Sequence, residues 1–348
     1  MERYKRQIKL KEVGENGQKL INDSKVLVVG VGGLGCAILP YLISAGIGKI
    51  GIADGDLVEI TNLSRQVIFN ESSVGLHKVD EALNSLKNLN SECEIVKYQN
   101  YITNKNILKI FNLYDIIIDA TDSLELRYLI NDACVVLGKP FIYGSVHKYQ
   151  GQVSTFNYKN GPTYRCLYPN QNAVIENCDE AGVMGTTVGL IGMIQANELM
   201  KLILKKGDNL SGKLLLYDSL NYKQEIYNFS KNKNILVNKS QFSIHLNNKI
   251  NNINFKEALN YRNSIFLDVR ESNEIPKIVK NDFVNIPLSE LKEKINLLNS
   301  KTWIMIFCQT GKRSILAKRI LDDNDFLKLK LINEGAKEIN QLIEKNKK

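Results

Sequence analysis

The stretch VLVVGVGGLG, residues 26–35, decides how this chain is read. A short apolar run leads into Gly30, Gly32, Gly33 and Gly35, with the spacing G-x-G-x-x-G. The run reads as a strand buried on both faces, and the glycines open a helix. Gly30 permits the tight turn, Gly32 lets the backbone approach a phosphate, and Gly35 allows close helix–strand packing. The helix N-terminus favours an anion through its unpaired N–H groups and its dipole. A glycine turn serving packing alone is the plainer alternative. The usual ligand of this pattern is a nicotinamide or flavin dinucleotide, so the rest of the chain must identify the phosphate.

Outward from the turn, strand-length apolar runs alternate with helical periodicity. Strands are expected at 25–30, 49–54, 94–100, 114–120 and 139–145, with helices near 33–46, 75–89, 104–111 and 123–137. In the second helix Leu76, Val79, Leu83 and Leu86 form one apolar stripe. Segments 150–157 and 213–229 read as later strands around a buried helix at about 187–204. The pattern predicts an α/β fold with a Rossmann-like, doubly wound mixed sheet over residues 1–230. Residues 231–251, rich in Asn, Lys and Ser, read as a linker. A second, smaller α/β domain is expected over 252–348, with helix FKEALNY, strands SIFLDV, DFVNIPL and TWIMIFC, and helices from Arg313 and Gly335.

The 348 residues are 44% hydrophobic, with mean hydropathy −0.19, enough for two cores. No run approaches the roughly 18–20 apolar residues of a membrane span, and the charged start MERYKRQIKLKEVGENG does not read as a secretory leader. A cytoplasmic chain without a membrane role is expected. The net charge of +9 is spread along the chain with Asn and Ile and forms no basic cluster. A compositional bias therefore explains it better than a nucleic-acid partner, and an acidic protein partner suits it equally. The six cysteines, at 36, 93, 134, 166, 178 and 308, are scattered and form no C-x-x-C pair.

Beyond the second strand, DGDLVEITNLSRQ (54–66) places an acid, Asp54, where a ribose hydroxyl is read, followed by Asn62 and Arg65. Lys78 sits in the first turn of the next helix, and DATDS (119–123) puts Asp122 at a strand's carboxyl end, where open α/β sheets bind ligands. Taken singly, Lys78 reads as a solvated helix residue, Arg65 as a surface ion pair and Asp122 as an N-cap. Together, two cations, an amide and a carboxylate at one crevice suit a triphosphate with Mg2+ better than a dinucleotide.

At this point the chain resembles the MoeB/ThiF enzymes, bacterial relatives of the ubiquitin-activating enzymes. The resemblance rests on RYKRQ (3–7), GVGGLG (30–35), DGDLVEITNLSRQ (54–66), VGLHK (74–78), DATDS (119–123), GQVSTF (151–156), YRCLYP (164–169) and CDEAGVMG (178–185), and covers about residues 1–228. It implies ATP-dependent adenylation of the C-terminal carboxylate of a ubiquitin-like sulfur carrier. It further implies that Gly32 and its neighbours, Asp54, Asn62, Arg65 and Lys78 bind ATP and that Asp122 binds magnesium. Arg6 matches an arginine that reaches into a partner subunit's active site, which implies a homodimer; taken alone, Arg6 reads as a surface residue near the terminus. Cys178 matches a cysteine that bonds covalently to the carrier in some members.

Two positions depart from the family. Its zinc site uses two C-x-x-C pairs, but here Thr163 precedes Cys166 and no second pair follows, so zinc is not expected. Ser123 stands where the family has Asn and keeps a hydrogen-bonding group.

The strand TWIMIFC ends in CQTGKRS (308–314). A cysteine in a loop that wraps towards a helix N-terminus meets backbone N–H groups, and Lys312 and Arg313 add charge; both favour thiolate or a bound anion. This segment, with FLDVRES (266–272) and FVNIPLSEL (283–291), resembles the rhodanese active-site loop over about 252–345. By that resemblance Cys308 carries a persulfide, cradled by Gln309, Thr310, Gly311, Lys312 and Arg313, while Asp268 braces its loop. The two resemblances imply one pathway, adenylation followed by sulfur transfer to a thiocarboxylate, with Cys178 aiding reductive release and a sulfur donor such as a cysteine desulfurase. The rival readings are an NAD-linked oxidoreductase with an appended rhodanese domain and a non-catalytic scaffold for a ubiquitin-like partner.

Overall fold

The computed structural model describes residues 2–169, 182–232, 252–322 and 324–345, with the side chains of Asn252, Lys312, Arg319 and Lys345 left aside. Cys178 and the linker from residue 233 onward lie outside the described residues. The chain divides into two compact units, Met1–Ser243 and Ile244–Lys348.

The first unit is built on eight strands: β1 Lys25–Val29, β2 Lys49–Ala53, β3 Glu94–Tyr98, β4 Ile116–Asp119, β5 Phe141–His147, β6 Gln150–Phe156, β7 Lys213–Asp218 and β8 Lys223–Asn228. They lie in the order β3-β2-β1-β4-β5-β6-β7-β8, parallel as far as β5 and antiparallel from β5 to β8. Val26 to Val29 are at most 1% exposed, which is why β1 carries no polar face. Each such aliphatic side chain contributes ~1.5–3 kcal/mol when buried. Val29 pairs with Ala53 of β2 and Asp119 of β4, so three carboxyl ends align where the strand order reverses. That switch point is where an open α/β sheet offers a crevice.

Two elements differ from the sequence expectation. The helix Lys78–Leu86 buries Val79, Ala82 and Leu86, whereas Leu76 precedes it and is exposed. The segment around Leu76 is held extended, with His77 bridged to Leu57, so Leu76 leaves the helical stripe and Ala82 completes it. The helix Gly14–Asp23 was not foreseen, because its turns carry few apolar residues. The helix Gly185–Leu204 is long and apolar enough to cross a membrane by length and mean composition, although Gln195, Asn197, Glu198 and Lys201 interrupt its apolar run. In the fold 56% of its apolar window is buried, against the helix Gly33–Ala45 and against β5 and β6.

The second unit has five parallel strands: β9 Asn252–Ile253, β10 Ser264–Asp268, β11 Phe283–Asn285, β12 Trp303–Phe307 and β13 Leu329–Ile332, in the order β11-β10-β12-β13-β9. Separate apolar clusters, one around Leu267 and Ile306 and the other around Phe266 and Met305, cover its two faces, as alternation along β10 and β12 requires. β13 went unforeseen because lysines interrupt its apolar run, and β9 because it is two residues long.

Candidate active sites

In the first unit, Gly30 has φ +96°, a left-handed conformation that any side chain would strain, and an added Cβ would stand 2.6 Å from the Ala120 carbonyl. A Cβ on Gly35 would stand 2.3 Å from the Gly30 oxygen, so the helix seats directly on the turn. Gly32, the N-cap of the helix Gly33–Ala45, provides no side-chain cap for the first-turn N–H groups. Among the described residues, only Gln66 Nε2, at 3.8 Å, comes near where its Cβ would lie. The backbone above Gly32 is therefore open to a group of phosphate size.

The predicted residues stand around this opening. Asp54, just beyond β2, accepts the Val31 N–H at 2.7 Å and the Asp56 N–H at 2.8 Å, which locks it to the glycine turn. Burial pushes its carboxyl above the ordinary value, and the Lys78 ammonium opposes the shift. Asn62 is buried and accepts the Glu59 N–H at 3.1 Å, closing a single 3-10 turn. Arg65 is half-buried; its Nη1 donates to the Thr61 carbonyl at 3.0 Å, and its Cγ would be 3.5 Å from a Cβ on Gly33. Lys78, 6% exposed, donates from Nζ to Asp56 Oδ2 at 2.9 Å.

Asp122 and Ser123 are exposed beyond β4. Ser123 accepts the Leu126 N–H at 3.2 Å and so caps the helix Leu124–Leu137. Among the described residues no three His, Cys, Asp or Glu side chains gather to hold a metal. Asp122 offers one carboxylate, which suits an ion that takes its remaining ligands from phosphates and water. Arg6 is exposed on the short helix Lys5–Ile8, between two anchors. Tyr4, 2% exposed, donates to Glu92 at 3.0 Å, and Gln7 donates to Gln18 at 2.8 Å.

Three participants escaped the sequence reading. Asp56 holds Lys78. Arg127 donates to fully buried Asp119 at 3.0 Å and to the Thr121 carbonyl at 2.8 Å, clamping the turn that presents Asp122. Gln66 is 3% exposed, and its Oε1 has no partner among the described residues. An orphaned buried acceptor beside an open glycine fits a polar ligand. The motif DATDS drew attention to Asp122 rather than to its own first residue, and R-Q at 65–66 drew it to the arginine.

Cys36 and Cys93 are unsuited to nucleophilic chemistry, because burial pushes their thiols up to about 12 and about 11. Cys166 lies where the resemblance places a zinc ligand. Its sulfur instead accepts the N–H groups of Thr163 and Asn232, each at 3.4 Å.

In the second unit Cys308 ends β12 and is 2% exposed. Its Sγ accepts the Gly311 N–H at 3.1 Å and lies 3.7 Å from Ser314 Oγ. Gly311, at φ +82°, makes this inward turn of the loop possible. Gln309 accepts the Lys337 N–H at 3.4 Å, and Thr310 is exposed. Arg313 is matched by Glu274 through two contacts, of 2.5 and 2.9 Å, and this pairing raises the guanidinium pKa. Its charge is thus partly spent before it reaches Cys308, a partner the sequence reading did not supply. Asp268 forms a buried two-pronged pair with Arg270 and also accepts the Arg270 N–H at 3.1 Å.

The sequence model of the ThiF family matches residues 4–237, and the carboxyl-end crevice lies within that match. The chain belongs to the ThiF family. Its relatives include "Adenylyltransferase and sulfurtransferase MOCS3" of Culex quinquefasciatus, 50% identical over 218 residues, 62% of this chain and 50% of that protein. They also include a "Probable molybdopterin-synthase adenylyltransferase" of Porphyra purpurea, 35% identical over 345 residues, 93% of this ThiF-family chain and 89% of that protein. The chain spans about half the length of the MOCS3 relatives from mosquitoes. Among solved structures, E. coli MccB with AMPCPP and MccA is similar, with TM-score 0.60 and 25% identity over 68% of this chain and 73% of that one.

Proposed function

We propose that this ThiF-family chain adenylates the C-terminal carboxylate of a ubiquitin-like sulfur carrier with ATP and then transfers sulfur to it from a Cys308 persulfide. The observation that carries the reading is the grouping of an uncapped glycine turn, Asp54, Arg65 and Lys78 at one sheet edge. The names of the two relatives above, and AMPCPP in the MccB structure, support it. Those names also favour a molybdopterin-type carrier, and nothing among them favours the NAD-linked alternative.

A carboxylate is a poor electrophile, and AMP converts its oxygen into a leaving group. The carrier carboxylate attacks the α-phosphorus, the acyl adenylate forms, and pyrophosphate leaves. Arg65, Lys78 and the helix N-terminus bear the phosphate charge. Asp122 would hold Mg2+, which would supply further charge neutralisation at the phosphates. Arg6 from a second copy completes the site in a homodimer. The terminal sulfur of the Cys308 persulfide then attacks the acyl carbon and AMP departs, leaving an acyl disulfide. A thiol, Cys178 in this reading, attacks the Cys308 sulfur of that bond, so the thiocarboxylate leaves and a disulfide remains, which an external thiol reduces back to two thiols. A sulfur donor such as a cysteine desulfurase recharges Cys308.

The test separates the two chemistries. Cys308→Ala is expected to abolish thiosulfate sulfurtransfer while leaving carrier-dependent ATP–pyrophosphate exchange intact. Loss of both activities together would refute this division of labour.

A further inference from the structure

Tyr101 is a large aromatic side chain left 61% exposed, yet it is held in one place. It lies three residues past β3, and the ends of β2 and β3 are joined there by the Asp54 N–H donating to the Tyr98 carbonyl at 3.2 Å. An added Cβ on Gly55 would stand 2.8, 2.8 and 2.9 Å from ring atoms Cδ2, Cγ and Cδ1. Such near-equal distances put one face of the ring flat on Gly55, the residue after the ribose-reading Asp54. Any residue other than glycine at 55 would displace the ring.

The loop that carries the ring is braced as well. The Tyr101 carbonyl accepts Asn106 Nδ2 at 2.9 Å, and Asn106 Oδ1 accepts the Thr103 N–H at 2.8 Å. The phenol donates to Asp56 Oδ1 at 2.5 Å, and the other oxygen of that carboxylate takes the Lys78 ammonium at 2.9 Å. This bond to the carboxylate, with burial, pushes the phenol up to about 12, so it remains a neutral donor. One chain of contacts therefore runs from an open aromatic face to the cation of the phosphate site.

We propose that Tyr101 is the base-binding residue of the nucleotide site, its free ring face stacking on the purine while its hydroxyl bond to Asp56 and its seat on Gly55 hold the ring in place. This inference rests on the ATP reading above. Aromatic side chains exposed at a ligand crevice serve as stacking surfaces because every base has a π-face. The preorganised ring adds affinity without an ordering cost at binding.

The experiment measures binding of ATP and of inorganic tripolyphosphate, both with Mg2+, to the full chain by equilibrium dialysis. Tyr101→Leu and Tyr101→Ala are expected to weaken ATP by about tenfold, the scale of one base–aromatic stack, while tripolyphosphate stays within about twofold. Tyr101→Phe, which keeps the ring, should hold ATP within about threefold of the parent. Circular dichroism confirms folding, and the leucine variant substitutes if alanine disrupts the loop. Equal weakening of both ligands, or unchanged ATP binding by Tyr101→Leu, overturns the proposal. A phenylalanine variant as weak as leucine also overturns it, leaving the hydroxyl brace as the residue's whole role. Failure of the parent chain to bind ATP would instead overturn the underlying nucleotide reading.

Discussion

Replacing Arg127 with methionine would expose how the Asp119 turn is held. Asp119 is 0% exposed and Arg127 only 6%, so the substitution leaves a carboxylate buried without its cation. Burial is the largest influence on the Asp119 carboxyl and raises its pKa; Arg127 is the main opposing charge. Without Arg127 only the Thr121 N–H, at 3.1 Å from Asp119 Oδ1, opposes that upward push, and the protein's cheapest response is to fold with Asp119 protonated. A group whose folded pKa is raised stabilises fully below its unfolded value, near 3.9, and loses that contribution as pH rises towards the folded value. Holding a proton on Asp119 costs ~1.4 kcal/mol per pH unit above 3.9, hence ~1.5 kcal/mol at pH 5 and ~4 kcal/mol at pH 7. The upper figure agrees with the ~3–5 kcal/mol typical of a broken buried pair. Urea unfolding followed by circular dichroism at both pH values reads the difference. With a slope of ~3 kcal/mol/M, the midpoint should fall by ~0.5 M at pH 5 and by more than ~1 M at pH 7. Trp303, the single tryptophan, lies in the second unit, so its fluorescence serves as an internal control that should not move. Adding Asp119→Asn should recover much of the loss at pH 7. An equal loss at both pH values, or a double variant weaker than the single one, would refute the reasoning.

Other outcomes follow from the same geometry. Lys78→Ala removes a buried phosphate-side cation and should lower ATP–pyrophosphate exchange by ~10²–10³, while Asp56 remains. Glu274→Gln frees the Arg313 charge beside Cys308, so the KM for thiosulfate in a cyanide assay should fall by about threefold. That gain should shrink in 0.5 M salt, because both partners are about one-third exposed.

Much of the architecture was legible because local and global signals agree. β1 and β4 are mostly apolar runs, the glycine spacing marks the turn from β1 into its helix, and Lys78 falls in the first turn of its helix as expected. What escaped notice depends on contacts that no spacing encodes. Asp119 and Arg127 lie eight residues apart on different elements, and only the fold pairs them. Asp56 looked like one acid among several in DGDLVE until Lys78 and Tyr101 were found on its two oxygens. Glu274 lies 39 residues from Arg313, so the loop read as more basic than it is. Leu76 misled because helical periodicity continues past the point where backbone geometry stops being helical.

The helix Gly185–Leu204 has a consequence for biosynthesis. An apolar segment of 20 residues emerging from a ribosome resembles cargo for a membrane insertion machine. Here the helix Gly33–Ala45, β5 and β6, on which it packs, have all been synthesised before it. Gly192 fits against Ala37, where an added Cβ would stand 2.8 Å away, and Gln195 donates to the Asp119 carbonyl at 2.8 Å. A waiting surface of complementary shape lets the nascent helix be buried as soon as it appears, since chains fold from the N-terminus during synthesis. The order of elements along the chain thus shelters this long apolar helix.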